Sequence, residues 1–326
     1  MFMKIFEQLA TKLEGKKVRI VLPEGEEPRI LQATKRLVNE SDVVPVLLGN
    51  PDRIKIYLDI EGITEGFEII DPAHYDRYDE MVAALVERRK GKVSEEQAHE
   101  LLKDVNYFGV MLVYMGVVEG MVSGAIHSTA STVRPALQII KTEPGVSKTS
   151  GAFLMVKGEE RYIFGDCAIN IDPDAQTLAE IAINSARTAK MFGIDPKVAM
   201  LSYSTKGSGS GPKVDKVVEA TKIAQKLRPE LDLDGELQFD AAFVPATGKL
   251  KAPGSSVAGQ ATVFIFPGIS AGNIGYKIAE RMGGFAAVGP VLQGLNQPVN
   301  DLSRGCNPDD VYNLTLITAV QALEHR

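Results

Sequence analysis

Four stretches of the chain crowd side chains that could hold an anion or move a proton. Each lies where an apolar, strand-like run passes into a helix-like one. Such junctions matter because a helix start carries unpaired N–H groups, and open α/β sheets bind ligands beyond the C-terminal ends of their strands. One stretch, 123–135, brings the hydroxyls of Ser128, Thr129 and Ser131 to a helix start together with Arg134, just after His127. These groups suit an anion; Ser128 or Thr129 equally suits an N-cap, and His127 a packed or capping role. A second, 204–213, is small and donor-rich around Gly207 and Ser208. No Gly-Lys-Ser/Thr closes it as a Walker loop, and Pro212 interrupts a full nucleotide fingerprint, so phosphate or pantetheine binding and a plain surface turn both stand. A third, 267–277, has glycines that admit a close ligand and sets Asn273 and Lys277 four residues apart on one helix face. A cap plus a solvated lysine explains it as well. The fourth, 300–310, places Ser303 and Arg304 in a glycine-closed turn ahead of Cys306 and Asp310. Asn307 before Pro308 reads as an N-cap followed by proline at the first helical position, and the helix dipole then favours Asp309 and Asp310 without any catalysis. That account leaves Ser303 and Arg304 unexplained.

These loops need a scaffold, and the pattern around them supplies one. A helical stripe in Met1–Lys17 is followed by an apolar run at 18–22, helical spacing at 28–38 and a second apolar run at 43–48. This is β-α-β-α punctuation. A strand is expected at 67–70 and helices over 74–89, 95–102 and 106–115, with Ser94 and Gln97 forming a capping-box signal. Thr142–Lys148, with Pro144 and Gly145, breaks the pattern and marks a domain boundary. Beyond it the alternation restarts. Strands are expected near 152–156, 162–164, 198–203 and 263–266, and helices near 175–192, 214–227 and 274–282. An amphipathic helix closes the chain over 308–323. The expected class is α/β, with mainly parallel sheets covered by helices.

Composition narrows the function. At 326 residues the chain has room for about two domains, and 44% hydrophobic with 24% charged residues describes an ordinary folded protein. With 36 Lys and Arg against 42 Asp and Glu, the net charge of -6 offers no general field for nucleic acid or anionic lipid. Phosphate chemistry must therefore use local clusters. The apolar run 108–118 is too short for the ~20 residues of a membrane span. It suits a buried helix or an interface. Cys167 and Cys306 cannot build a disulfide framework, which fits a cytoplasmic setting, and no motif has metal-ligand spacing, so no metal is expected.

The segment 289–306, GPVLQGLNQPVNDLSRGC, resembles the terminal signature of the phosphate acetyltransferases (phosphotransacetylases). Segments 120–135, 202–224, 234–245 and 266–284 support the resemblance in order and spacing, and the length is similar to that family's short form. The resemblance implies reversible acetyl transfer between acetyl-CoA plus phosphate and CoA plus acetyl phosphate. It implies two α/β lobes of the isocitrate/isopropylmalate dehydrogenase type with an active-site cleft between them, and a homodimer. Its C-terminal helix returns to the first lobe, giving lobes 1–147 plus 291–326 and 148–290. No cofactor is held permanently; CoA is a substrate. By the same resemblance Asp310 is the general base for the CoA thiol, Arg304 holds acetyl phosphate and Ser303 donates to the tetrahedral intermediate. Arg89 and Arg134 match arginines for CoA and substrate. Ser128, Thr129, Gly207, Ser208, Asn273 and Lys277 complete the substrate-binding group.

The proton transfer is demanding. A free carboxylate near pKa ~3.9 accepts a proton from a thiol near ~8.5 only with roughly 6 kcal/mol uphill. Burial would help Asp310, nearby arginines would help the thiol, and the helix N-terminus works against Asp310 as base. Cys306 at a helix start offers a competing acyl-enzyme route. A longer acyl group, a nicotinamide-dependent dehydrogenase and a noncatalytic CoA-binding module are the rival functions. Butyryl phosphate, an NADH absorbance change and the absence of turnover would respectively reveal them.

Overall fold

The computed structural model describes residues 3–324. The chain runs through α1 (Met3–Leu13), β1 (Arg19–Leu22), α2 (Pro28–Glu40), β2 (Val44–Leu48), α3 (Pro51–Ile60) and β3 (Glu68–Ile70). A short 3-10 turn, Pro72–His74, leads to α4 (Tyr78–Arg89), α5 (Glu95–Leu101), α6 (Val105–Tyr114), β4 (Gly120–Ser123) and α7 (Thr129–Ile139). Then come β5 (Ser150–Lys157), β6 (Glu160–Gly165), α8 (Ala175–Met191), β7 (Lys197–Leu201), α9 (Pro212–Leu227) and β8 (Asp232–Leu237). The chain ends with α10 (Phe239–Phe243), α11 (Pro245–Lys251), β9 (Val263–Ile265), α12 (Ile269–Arg281), β10 (Ala286–Gln293), β11 (Val299–Asp301) and α13 (Pro308–Glu324). Of the expected N-terminal stripe, Met1 and Phe2 lie outside the described residues.

Two compact units result. Met3–Pro144 and the chain from Leu295 onward form one, and Gly145–Gly294 the other. In the first unit the strands lie in the order β11-β4-β1-β2-β3, every pair parallel. The helix starts explain why the chain turns where it does. Glu27 caps α2 and Asn50 caps α3, each followed by proline in the first helical turn, and Ser94 and Gln97 form a complete capping box on α5. The run 108–113 is buried within α6.

The last helix departs from expectation. An amphipathic helix should show one wet face, yet α13 is buried continuously from Val311 to Val320, because α1 and α2 pack against it while it also lies on β4. Its polar residues survive burial by bonding inward. Thr315 and Thr318 donate to the carbonyls of Val311 and Leu314 at 2.7 Å, and Asn300 Nδ2 donates to Thr318 Oγ1 at 2.8 Å.

The second unit keeps mainly parallel pairing but adds an antiparallel edge that the pattern did not announce. Its order is β10-β5-β6-β9-β7-β8; β6, β9, β7 and β8 run parallel, but β10, β5 and β6 pair antiparallel. The cause is local. Only Gly158 and Glu159 separate β5 from β6, with Gly158 at φ 61°, and so tight a link permits a hairpin but no crossover helix. Among the described residues no helix is long and apolar enough to cross a membrane.

Candidate active site

In the first unit the chain passes outward through β1, β2 and β3, then returns to β4 on the other side of β1. Strand order thus reverses between β1 and β4, the place where open parallel sheets leave a crevice at their C-terminal edge. Three loops gather there, after β1, β4 and β11.

The loop after β4 is shaped by a residue of the loop after β1. The buried Glu24 carboxylate accepts from the amides of Gly124 (3.1 Å), Ala125 (2.7 Å), Ile126 (2.9 Å) and His127 (3.0 Å), and its Oε1 lies 2.6 Å from His127 Nδ1. His127 is therefore a partner of the scaffold. Gly124, at φ 113°, is required by contact as well as by conformation: a Cβ there would lie 2.6 Å from Asp301 Oδ1 and 2.7 Å from the Leu302 carbonyl. The next residues turn outward. Ser128 caps α7 by accepting from the Ser131 amide at 3.3 Å, while Thr129 opens the helix; both are exposed.

The loop after β11 carries Ser303 and Arg304 on an exposed turn beside this one, and Asp310 is exposed in the first turn of α13 that follows it, since Asp301 pairs in register with Ser123. Ser303 anchors the turn through its carbonyl, which accepts from the Cys306 amide at 2.8 Å. Asp310 and Asn307 cap each other: Asn307 N donates to Asp310 Oδ2 at 2.9 Å and Asp310 N to Asn307 Oδ1 at 3.0 Å. Both the capping role and the exposed position of Asp310 are thus real. Beneath the turn, Asp301 is buried, and desolvation pushes its carboxyl up to about 6, with Thr129 and Thr132 opposing and Glu24 adding to the rise. Burial also pushes the Cys306 thiol up to about 11 against the pull of Arg29.

Arg89 and Arg134 meet around α7. Arg89 Nη1 donates to the Gln138 carbonyl at 3.1 Å, and its buried Nε has no partner. Arg134 is exposed on the same helix. Both act on Tyr107, whose hydroxyl is pushed up by burial and pulled back by Arg134 and Arg89. Gln138 lies at the far end of α7 from Thr129, a helical rise of ~14 Å. Around Arg89 lies a cluster the sequence reading missed. The Lys141 ammonium is pushed down chiefly by Arg88, then by burial and by Lys90, Arg89 and Lys92. Arg88 itself is committed, donating to the carbonyls of Ile139 (2.6 Å) and Ile140 (3.1 Å).

In the second unit, Gly207 and Ser208 are exposed but their loop is internally bonded. Gly207 N donates to Glu236 Oε1 at 2.7 Å, Ser204 Oγ to the same oxygen at 2.8 Å, and Thr205 N to Ser208 Oγ at 2.9 Å. Burial works to raise the Glu236 carboxyl, but the Gly207 amide and Ser204 hydroxyl outweigh it and hold it below the usual range. Asn273 Nδ2 donates to the Cys167 carbonyl at 3.3 Å, and Lys277 is exposed on the same helix. Among the described residues no three His, Cys, Asp or Glu side chains converge as a metal site.

Glu24 and Arg29 also escaped the sequence reading. The signal existed: Pro23-Glu24-Gly25-Glu26-Glu27-Pro28-Arg29 joins an apolar run to a helix opened by proline, the same kind of junction as the four singled out.

A parallel sheet with its strand-order reversal, and hydroxyl, guanidinium and carboxylate groups on adjoining loops, is an α/β arrangement compatible with group transfer. The family model described as phosphate acetyl/butaryl transferase matches residues 2–319, and the chain belongs to that family of acyltransferases. It is 59% identical over 320 residues to the phosphate acetyltransferase of Bacillus subtilis, covering 98% of this chain and 99% of that one. A crystal structure of a phosphotransacetylase from Streptococcus pyogenes superimposes with a TM-score of 0.97 at 59% identity, covering 99% of each chain. The EutD phosphotransacetylase from Staphylococcus aureus gives 0.93 at 57% identity, covering 98% of each.

Proposed function

We propose that this chain catalyses reversible acetyl transfer between CoA and phosphate, by direct attack of the CoA thiolate on acetyl phosphate in a ternary complex. The observation that carries this reading is the exposed turn bearing Ser303 and Arg304, with Asp310 exposed in the helical turn that follows, set beside Ser128 and Thr129 at the strand-order reversal. Membership of an acyltransferase family and relatives named as phosphate acetyltransferases support the substrates.

In the forward step Asp310 takes the thiol proton, the sulfur bonds to the acetyl carbon, and the carbonyl oxygen gathers charge that the Ser303 hydroxyl meets with a hydrogen bond. Collapse breaks the carbon–oxygen bond to phosphate, whose charge Arg304 grips. Guanidinium suits this role because its planar fork stays charged and binds two oxygens together. Asp310 is water-exposed without substrate, so the ~6 kcal/mol mismatch with a thiol must shrink on binding, as CoA excludes water from the carboxylate and Arg304 favours thiolate. Arg134, Arg89 and the cations around Lys141 form a local positive patch suited to the CoA phosphates. Gly207, Ser208, Asn273 and Lys277 contribute to substrate binding from the second unit.

In the proposed reaction Cys306 has no nucleophilic role. Its thiol is buried and pushed up to about 11, the reverse of an activated cysteine. Cys306→Ala should keep activity within about threefold; abolition with folding intact would restore the acyl-enzyme route. The enzyme works as a homodimer in the cytoplasm. A second copy would cover Ile274, Ile278 and Met282, exposed in a row along α12, and the aromatic cavity of about 460 Å³ that Ile278 helps to line. The deciding experiment supplies CoA with acetyl phosphate or butyryl phosphate. Faster thioester formation from acetyl phosphate supports the reading; preference for butyryl phosphate, or no thioester from either, overturns it.

A further inference from the structure

Arg29 sits on α2, outside every loop that bears a proposed catalytic group, yet its guanidinium reaches two of them. Nη1 donates to the carbonyls of Arg304 (2.9 Å) and Cys306 (3.0 Å), and Nη2 donates to the carbonyl of Ala125 (2.9 Å). Nε donates to Glu27 Oε1 at 2.7 Å, and Glu27 in turn accepts from the Arg29 and Ile30 amides at the start of α2. Nη1 also lies 3.7 Å from Cys306 Sγ. Most of the five N–H groups of a guanidinium are thus committed to the protein's own oxygens, which leaves little to offer a substrate anion.

We infer that Arg29 is a positioning residue: it clasps the Ser303–Asn307 turn to the Gly124–Ser128 loop and so sets the place of Ser303 and Arg304. The sheet alone does not do this. The paired residues of β4 and β11 end at Ser123 and Asp301; at that end the Leu302 amide donates to the Ser123 carbonyl at 2.7 Å and the Thr129 and Thr132 hydroxyls act on Asp301, while the turn beyond Leu302 is tied to the Gly124–Ser128 loop by this guanidinium. Glu24 fixes one loop from within the same segment, and Arg29 then fixes the other loop to it. Lysine cannot substitute, since one ammonium at the end of a flexible stem lacks the planar fork that spans three carbonyls. Displacing a catalytic group by about 1 Å is enough to cost on the order of a hundredfold in rate.

The catalytic half of this inference rests on the acyl transfer proposed above; the structural half does not, and Cys306 reports on it. That thiol is 6% exposed beneath the clasp, while Cys167, 0% exposed in the other unit, serves as the internal control. The experiment labels both thiols of the whole protein with dithionitrobenzoate in wild type, Arg29→Lys and Arg29→Met, and measures kcat and KM in the same preparations. The expected result is labelling of Cys306 about tenfold faster with Cys167 still protected, and kcat down about a hundredfold with KM for CoA within about threefold. Wild-type labelling of Cys306 in both variants overturns the clasp, whatever the activity. An unchanged kcat with a raised KM for acetyl phosphate also overturns it, in favour of direct anion binding. Should Cys167 open as well, showing unfolding, Glu27→Gln decides: it removes only the charge behind Nε, and a smaller shift of both readouts in the same directions is required.

Discussion

The strand ends of the two units use buried carboxylates in contrasting ways. In the first unit Glu24 reaches from one loop to gather the amides of another, and the side chains proposed to act at that edge, Ser128, Thr129, Arg134, Ser303, Arg304 and Asp310, remain exposed. In the second, Glu236 and Asp166 bind groups of the loops beside them. Glu236 holds Gly207 and Ser204, and Asp166 holds the amides of Ala168 (2.8 Å), Ile169 (3.0 Å) and Asn170 (3.0 Å). In both units the backbone donors nearest these carboxylates are spent, so what remains for a ligand is the exposed side chains, and the first unit carries the hydroxyl, guanidinium and carboxylate set. In line with this difference, the bond-making groups are proposed to lie in the first unit, with the second in a supporting role in binding.

Asp310→Asn should break the reaction most severely. The amide keeps the shape and can keep the cap, but takes no proton, so kcat should fall about 10³-fold with little change in KM for CoA; equal losses in both would leave Asp310 as a cap alone. Arg304→Gln comes next, with kcat/KM for acetyl phosphate down about 10² to 10³-fold and KM for CoA nearly unchanged in steady-state assays.

Asp301 provides a test on stability. Its carboxyl titrates near 6 in the folded chain, against about 3.9 when unfolded, so between those values the folded state holds a proton that the unfolded state has lost. Stability from this group therefore falls as pH rises from about 4 to 6, and at neutral pH the buried charge costs roughly 3 kcal/mol at most. Asp301→Asn should raise urea stability by about 1 to 3 kcal/mol at pH ~7 and hardly at all at pH ~4. Lower stability at pH ~7 would mean that the ionised carboxylate is held by the hydroxyls around it. The smallest effect is expected in the second unit: Ser208→Ala, which removes an acceptor for the Thr205 amide, should change kcat/KM less than about threefold. A hundredfold loss would put chemistry in that loop after all.

What was legible in the sequence follows the range of each signal. Local chemistry was readable: the Ser94–Gln97 box starts α5, and proline opens both α9 and α13. The apolar run 108–113 forms a buried helix as its hydropathy implies. Strands β8 and β10 were missed. Asp232-Leu233-Asp234-Gly235 dilutes the apolar pattern in one, and Gly289-Pro290 interrupts the other, which pairs antiparallel with β5. The burial of α13 was hidden because its wet-looking threonines bond to their own helix. For the candidate site, Ser303, Arg304 and Asp310 were named from motif resemblance. Glu24 and Arg29 act across about 100 and 275 residues of chain, and no local pattern announces a contact at that distance. The use of Gly207 by Glu236 was hidden for the same reason.

The most direct test mixes the enzyme with acetyl phosphate and radiolabelled inorganic phosphate, first without CoA and then with it. The account predicts no label entering acetyl phosphate until CoA is added, and then acetyl-CoA and phosphate formed one for one. Label exchange without CoA would show an acetyl-enzyme intermediate, and no acetyl-CoA with CoA present would remove the proposed reaction; either contradicts it.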